Sequence, residues 1–212
     1  GIPAPVSKKS PYSIDVNLLG RSIEAGILED PMRAPNEEVF EMTSSIEDAP
    51  DTPDDIEIEF NNGFPISING ESLSRKNIII KANSLAGKHG FGRIDMIEDR
   101  VVGIKSREIY ETPGLLLLIK AHKELETLTL THDLIDFKYS IEKKWAQLIY
   151  QGYWFSPLKN ALDGFIQATQ EAVNGVVKIR LYKGNATVIG RSSKDNSLYR
   201  EDLATYSHED KF

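Results

Sequence analysis

Residues 56–68 read IEIEFNNGFPISI, and this stretch decides the fold class. Ile56, Ile58 and Phe60 alternate with polar residues, which is the two-residue period of a strand with one buried and one solvated face. Asn62-Gly63 comes next, and both residues tolerate the positive φ angles of a tight hairpin turn. The apolar face is predicted to continue at Phe64, Ile66 and Ile68. The stretch therefore predicts an antiparallel hairpin.

A second hairpin is predicted near the C-terminus. Val177, Ile179 and Leu181 alternate with polar residues and lead into the turn residues 183–185, after which residues 187–191 return. Between the two hairpins, residues 93–97 and 101–105 are predicted to form two short strands.

Four segments carry helical patterns, and a fifth is a short candidate. They are residues 74–86, a helix that begins at Thr112-Pro113, residues 133–150, a helix from Ser156-Pro157 to Asn174-Gly175, and residues 36–43 with Asn36 as N-cap. Thr or Ser followed by Pro is a typical helix start, and Asn-Gly a typical end. Apolar spacings of three and four residues predict one buried face on each of the four longer helices. The predicted buried positions are Ile79, Ile80, Leu85, Leu116, Ile119, Leu125, Leu134, Phe137, Ile141, Trp145, Leu148, Leu158, Ala161, Leu162, Phe165, Ile166, Thr169, Ala172 and Val173.

Hairpins and helices are interspersed, without the repeated strand–helix–strand order of a parallel sheet. We therefore predict an α+β fold with a mainly antiparallel sheet, hairpins packed against several helices, and extended N- and C-terminal arms. Residues 1–30 are predicted to be a linker and the start of the domain. Residues 31–55 are predicted to be an acidic, proline-rich arm, solvated and loosely packed. Residues 56–195 form the α+β domain and 196–212 a C-terminal tail.

Composition excludes several classes of function. The 212 residues carry a formal net charge of -7 and contain no cysteine. The negative charge argues against nucleic-acid binding and against anionic membrane surfaces. The absence of cysteine excludes disulfides, thiolate metal sites and a cysteine nucleophile. The longest apolar run, residues 115–119, is too short to span a bilayer. We expect a cytoplasmic protein that binds neither nucleic acid nor membrane.

Common catalytic motifs are absent from the sequence. It contains no Walker-type phosphate loop, dinucleotide fingerprint or serine-hydrolase elbow. The four histidines lack metal-ligand spacing with one another, and His122 is expected to be a structural or surface residue. The residues alone predict an α+β domain without a self-contained active site.

One region nevertheless concentrates glycines and charges of both signs. It comprises GKHGFGRID at residues 87–95, EDR at 98–100 and GIKSREIYETPG at 103–114. Glycines let the backbone approach a ligand closely, and paired charges can bind a zwitterion. The same residues could also form tight turns between strands with surface ion pairs. The pattern alone leaves both readings open.

These three segments resemble the argininosuccinate synthase patterns GKHGxGRID, ENR and GxKSRxxYETPG. Other segments follow the order of that family, and the likeness covers essentially the whole chain. They are PYSIDVNL at 11–18, IEAGILED at 23–30, WFSP at 154–157, LYKGN at 181–185 and SLY at 197–199. One departure is Asp99, where the family usually has Asn.

The resemblance implies the C-terminal part of a ligase that joins citrulline and aspartate using ATP, giving argininosuccinate, AMP and pyrophosphate. In the family, ATP with Mg binds to an N-terminal domain through an SGGxDxS loop, which does not occur in these 212 residues. We therefore expect a fragment, a separately cloned domain or one product of a split gene. The chain alone is expected to bind no cofactor and to be inactive. The implied partners are citrulline, the N-terminal nucleotide-binding domain and further copies of the chain, as a dimer or tetramer.

The resemblance assigns citrulline binding to Ser13, Ser22, Glu98 and Tyr110, and it assigns no catalytic residue. The residue types suit that ligand, since a carboxylate can bind an α-ammonium and hydroxyls can bind a carboxylate or ureido group. Structural roles are the alternatives: Ser13 could cap a turn, and Tyr110 could be a half-buried aromatic. Asp99 adjoins Glu98 and puts the local hydrogen bonding in question.

A second function remains open, namely a stand-alone remnant that assembles, and binds an amino acid, without catalysis. An SGGxDxS domain encoded directly upstream and in frame would favour the enzyme over the remnant. Either protein is expected to self-associate, because the last two long helices carry more large apolar residues than one sheet can cover, including Trp145, Trp154 and Phe155.

Overall fold

A computed structural model describes residues 11–204. The predicted linker residues 1–10 and tail residues 205–212, with His208, lie outside that range. The strands are β1 (Ser13–Asn17), β2 (Gly20–Glu24), β3 (Asp54–Asn61), β4 (Phe64–Ile68), β5 (Glu71–Ser72), β6 (Arg93–Asp99), β7 (Lys105–Glu111), β8 (Gly175–Tyr182) and β9 (Asn185–Ser192). The α-helices are α1 (Arg75–Lys88), α2 (Pro113–Thr129), α3 (His132–Tyr150), α4 (Pro157–Gln170) and α5 (Glu201–Ala204). The α+β class is confirmed.

The larger sheet has five antiparallel strands in the order β5-β4-β3-β8-β9. It contains both predicted hairpins, which lie side by side because β3 pairs with β8 and places Ile56 opposite Ile179. The turn between β3 and β4 has the predicted positive φ angles, 48° at Asn62 and 73° at Gly63. The sequence therefore predicted the strands of this sheet, apart from the two-residue β5.

A bulge in the first hairpin moves Phe64 to the solvent side. The pairing of β3 with β4 shifts register between Glu59 and Phe60, so that Phe60 lies opposite Pro65 and Asn61 opposite Phe64. One extra residue on β4 reverses the alternation of side chains beyond it. Phe64 is consequently 50% exposed, and its predicted place on the buried face is wrong.

The smaller sheet has four antiparallel strands in the order β1-β2-β7-β6. The sequence analysis did not predict its β1–β2 hairpin. The predicted strand at residues 101–105 is wrong, because residues 100–104 form the turn and β7 begins at Lys105. The Arg100 amide donates to the Ile104 carbonyl at 2.9 Å, and the Gly103 amide donates to the Arg100 carbonyl at 2.8 Å.

Helices α1 and α2 cover one face of the five-stranded sheet. Ile78, Ala82 and Ala86 lie one turn apart on α1 and are fully buried with Leu117 and Leu125 of α2. This row places Ile80 on the outer side of α1, and Ile119 faces outward on α2, so both predictions of burial are wrong. The side chains at i and i+4 define the buried face of a helix, and residues two positions away point elsewhere.

Helices α3 and α4 form a more exposed layer. Phe137 and Phe165 meet edge to face, with ring centroids 5.4 Å apart. Phe137, Leu158 and Ala161 are nevertheless exposed, contrary to prediction. The buried position next to Phe137 is instead taken by Lys138, whose ammonium lies 2.9 Å from a carboxylate oxygen of Glu126 on α2. An apolar pattern could not reveal a buried face built around an ion pair.

A buried carboxylate, Glu111 at the end of β7, organises the segment before β3. Arg21 donates to it at 2.6 Å. The amides of residues 41–43 donate to it at 2.9–3.1 Å, as does the Thr43 hydroxyl at 2.8 Å. These amides are therefore not available to a helix, so the predicted helix at residues 36–43 is reduced to the short 3-10 helix Glu37–Val39. Residues 39–43 are anchored more firmly than a solvated arm would be.

Replacing Glu111 by Gln should lower the free energy of unfolding by about 3–5 kcal/mol, because it removes the buried counter-charge of the Arg21 guanidinium and leaves only the largely exposed Glu41 to pair with it. Glu57→Gln is the matched control, since Glu57 pairs with Lys178 at the surface and an exposed pair contributes about 0–1 kcal/mol. Urea denaturation of both variants measures the difference. Equal midpoint shifts would show that Glu111 is not an anchor.

Candidate functional site

One face of the four-stranded sheet is covered and the other is open. Ile23, Ile109, Leu28 and Val39 form a small core against the covered face. Because side chains alternate along a strand, the residues between them face the other side. The alternation thus separates a covered face, which holds Ile23 and Ile109 beside the buried Arg21–Glu111 pair, from an open polar face.

Strand pairing brings polar side chains together on the open face. Asp15 lies opposite Ser22, and Ser22 lies opposite Tyr110. Tyr110 in turn lies opposite Ile94, which is on the same side of β6 as Glu98. Three neighbouring strands and the edge strand β6 therefore contribute to one surface.

This surface holds a cleft of about 450 Å³. Its lining residues are Asp15, Ser22, Glu24, Glu98, Arg100, Val101, Val102, Glu108, Tyr110 and Tyr150. Three of the four residues predicted to bind citrulline, Ser22, Glu98 and Tyr110, are among them. Ser13 is not: it is exposed on β1, where it lies opposite Glu24 on the same face of the sheet.

Tyr110 and Glu98 are hydrogen-bonded, with the Tyr110 hydroxyl donating to Oε1 of Glu98. Burial and this hydrogen bond, together with nearby carboxylates, raise the pKa of Tyr110 well above its ordinary value of 10. The phenol therefore stays protonated at physiological pH and holds the Glu98 carboxylate in place. A fixed carboxylate in a cleft is a good partner for an ammonium group.

Sequence reasoning assigned no role to four charged residues that line the cleft, namely Asp15, Glu24, Arg100 and Glu108. Arg100 Nη2 lies 2.5 Å from Oε2 of Glu24 and 3.4 Å from Oε1 of Glu108. Glu24 follows Ser22 by two residues and Glu108 precedes Tyr110 by two. The period-two rule applied to β2 and β7 could have found both, had the strand boundaries been known.

Glu108 is the most perturbed acid of the group. Burial raises its pKa from the ordinary 4.5 to about 7, with further contributions from its hydrogen bond to Glu24 and from the charges of Glu24 and Glu98, while Arg100 opposes the rise. Carboxylates that share a small site cannot all ionise easily. The cleft therefore carries a group that changes charge near neutral pH.

Asp99 lies outside the cleft. It follows Glu98 on β6 and points to the opposite side of the strand, where it forms an ion pair with Lys105. The Tyr150 hydroxyl donates to the Asp99 backbone carbonyl at 3.3 Å, a contact that any residue at this position could provide. The departure from the family's Asn therefore changes a surface ion pair rather than the lining of the cleft.

Comparison with known proteins identifies the family. A family model described as the arginosuccinate synthase C-terminal domain matches residues 12–212. The chain belongs to the argininosuccinate synthase family. Its relatives include proteins named argininosuccinate synthase from Prochlorococcus marinus, with 77% identity in strain MIT 9515 and 67% in strain NATL1A. Both matches cover the whole chain, but only 52% and 53% of the relatives, so the chain spans about half their length.

Two of the three histidines within residues 11–204 have buried or partly buried structural contacts, and the third, His132, is exposed. His89 is fully buried, with Nε2 2.9 Å from Oδ2 of Asp54. His122 Nε2 lies 2.6 Å from Oε1 of Gln170, between α2 and α4, which fits its predicted structural role. Within residues 11–204, no group of three or more metal-ligating side chains is placed to hold a metal ion. No helix in this range is long and apolar enough to cross a membrane.

The raised pKa of Glu108 predicts a pH-dependent stability difference. Between pH 4.5 and about 7 the folded state retains a proton that the unfolded state has lost, so stability should fall as pH rises through this window. The difference in free energy of unfolding between the wild type and Glu108→Gln should therefore change across this pH range, with the wild type becoming less stable. Above the range the difference should be constant.

Urea denaturation at a series of pH values measures this difference, with Glu47→Gln as a control at an exposed position. The control should parallel the wild type. A Glu108→Gln curve that also runs parallel to the wild type would show that Glu108 titrates normally.

Proposed function

We propose that this chain forms the citrulline-binding half of an argininosuccinate synthase, which joins citrulline and aspartate at the expense of ATP. The proposal rests on one observation: the side chains of Ser22, Glu98 and Tyr110 line the same cleft. The three residues lie on different strands, and the resemblance assigned all of them to the same ligand. Family membership supports the same conclusion.

The chemistry of the cleft suits the α-amino-acid end of citrulline. The Glu98 carboxylate would accept hydrogen bonds from the α-ammonium, with its position fixed by the Tyr110 hydroxyl. Ser22 offers a hydroxyl beside Tyr110, and Ser13 offers another at the open edge of the sheet. Hydroxyls at these positions can donate to the α-carboxylate.

In the proposed reaction, the ureido oxygen of citrulline attacks the α-phosphorus of ATP and releases pyrophosphate, and the amine of aspartate then displaces AMP. ATP with Mg²⁺ would supply the activation, held by the nucleotide-binding half, since these 212 residues contain no glycine-rich phosphate loop. The residues of this chain bind and orient citrulline, which lowers the barrier by holding the reacting groups in register.

Glu98→Gln should raise the citrulline KM about 10- to 100-fold, because a hydrogen bond to a charged group contributes roughly 1.5–3 kcal/mol and 1.4 kcal/mol is tenfold. The KM for ATP should stay within about twofold. The assay uses this chain joined to the amino-terminal half of the 77% identical relative, which restores the full length of the family. The chain alone should show no turnover.

Asp99→Asn is the matched control, because it changes the neighbouring side chain on the opposite side of β6. It should leave the citrulline KM within about twofold. An unchanged citrulline KM and kcat in Glu98→Gln would remove Glu98 from the site. Turnover by the chain alone, above a buffer blank, would contradict the proposal that the reaction needs the nucleotide-binding half.

We also propose that the chain self-associates through the region between α3 and α4. Tyr153, Trp154 and Phe155 form an exposed aromatic run there, and Phe155 is 94% exposed. Large exposed apolar patches usually mark interfaces, and copies of one chain favour closed two-fold contacts. Sedimentation equilibrium should therefore show a dimer or larger species.

Phe155→Asp should shift the assembly toward the monomer by at least tenfold in dissociation constant, whereas Met32→Asp, at another exposed apolar side chain, should not. A wild-type mass that stays at 23.8 kDa up to high micromolar concentration would show that this surface is not an interface.

A further inference from the structure

One buried hydroxyl beside the cleft makes no hydrogen bond. In the part of the chain that the structure describes, three buried side-chain atoms have no hydrogen-bond partner: Arg21 Nε, His89 Nδ1 and Ser106 Oγ. Arg21 and His89 each form hydrogen bonds through their other nitrogens. Ser106 has no second polar atom on its side chain, so its hydrogen-bonding capacity is entirely unused. A buried hydroxyl without a partner costs free energy, and such a group calls for an explanation.

Strand register places Ser106 beside a proposed ligand contact. Ser106 lies directly opposite Glu98 where β6 pairs with β7. Residues in this relation have Cβ atoms about 4.5–5.5 Å apart, so a serine hydroxyl can reach a glutamate carboxylate. Because side chains alternate along a strand, Ser106 is on the same face as Glu108 and Tyr110, which line the cleft. The unpartnered hydroxyl is therefore on the cleft side of the sheet, next to Glu98.

The Glu98 carboxylate has room for a second donor. Its Oε1 atom accepts from the Tyr110 hydroxyl, which has only one proton to donate. The two oxygens of a carboxylate can accept about four hydrogen bonds in all. One donor at one oxygen leaves the carboxylate free to turn about its own bond, whereas a second donor would fix its plane. A binding group held in one orientation loses less entropy when the ligand arrives.

We propose that Ser106 is a positioning residue for Glu98. When an ammonium group in the cleft binds the Glu98 carboxylate, the Ser106 hydroxyl donates to the same carboxylate from β7 and holds it toward the ligand. This change needs only side-chain rotation, because Ser106 and Glu98 already face each other across paired strands. Ser106 acts through Glu98 and does not touch the ligand. The inference rests on the proposed function, since it presumes that Glu98 binds the α-ammonium of citrulline.

Stability and binding should respond differently to the loss of this hydroxyl. Without citrulline, Ser106→Ala removes a buried polar atom that has no partner among the described residues, so the free energy of unfolding should stay the same or rise. With citrulline, the substitution removes a hydrogen bond to a charged group and should weaken binding. A serine with a purely structural role would give the reverse pattern, namely lower stability and unchanged binding.

Steady-state kinetics of this chain joined to the amino-terminal half of the relative test the proposal. Ser106→Ala should raise the citrulline KM about 5- to 10-fold and leave kcat and the KM for ATP within about twofold. Lys105→Ala is the matched control, because Lys105 is the neighbouring residue on the other face of β7, in an exposed ion pair with Asp99. It should leave the citrulline KM within about twofold. Urea denaturation of both variants measures stability.

A double-mutant cycle with Glu98→Gln tests whether Ser106 acts through Glu98. The Glu98→Gln protein has no carboxylate to hold toward the ammonium, so adding Ser106→Ala should raise its citrulline KM by less than about twofold. An equal factor in the two backgrounds would overturn the proposal, because Ser106 would then act independently of Glu98.

Failure of this inference can be told apart from failure of the proposed function. A citrulline KM in Ser106→Ala equal to that of the wild type would overturn the role of Ser106 and leave the proposed function standing. A lower free energy of unfolding in Ser106→Ala would also overturn that role, since the hydroxyl would then stabilise the fold. A wild-type joined protein without citrulline-dependent turnover would contradict the proposed function, and the role of Ser106 with it.

Discussion

The buried carboxylate of Glu111 is the contact on which the arrangement of the four-stranded sheet depends. Glu111 is fully buried, so its carboxylate loses the free energy of hydration that it has in water. Only several hydrogen-bond donors and a counter-charge can offset this loss. Arg21 from β2 and the amides of residues 41–43 supply them. They fix the segment that covers one face of the sheet. The opposite face is left open as a consequence.

The same region joins the small sheet to the helical layer. Glu111 is followed directly by Thr112, whose amide donates to the Gly92 carbonyl at 2.8 Å, and by the first residue of α2. A Cβ at Gly92 would lie 2.2 Å from the Cα of Pro113, and its φ of 116° also favours glycine. The end of β7, the start of β6 and the start of α2 are therefore held together. This junction fixes one end of the paired strands β6 and β7, which carry Glu98 and Tyr110.

Local patterns predicted much of this fold and little of its site. Asn62-Gly63 forms the predicted turn, and Ser74 and Ser156 cap α1 and α4 with hydrogen bonds of 3.3 and 3.2 Å. These signals are local, so a single sequence carries them. The strand β7 was wrongly predicted at residues 101–105, because its residues do not alternate between apolar and polar. One face of the strand carries ion-paired side chains, and the other face lines the cleft. For the same reason, the apolar pattern of α3 wrongly predicted the buried position next to Lys138, a residue that is buried in an ion pair.

The site residues came from resemblance to a family, since their pairing across strands depends on a register that no local pattern reveals. Glu24, Glu108 and Arg100 are the clearest example. Glu24 is far in sequence from the other two, and a turn separates Arg100 from Glu108. Only the register of β2, β7 and β6 brings the three residues together. A ¹H–¹⁵N NMR titration of the chain with citrulline tests directly whether this open face is the binding surface. The cleft as described predicts amide shifts confined to residues 22–24, 98–102 and 108–110. Shifts confined to the five-stranded sheet, for example at residues 174–176 and 192–196 around the second cleft, would contradict it.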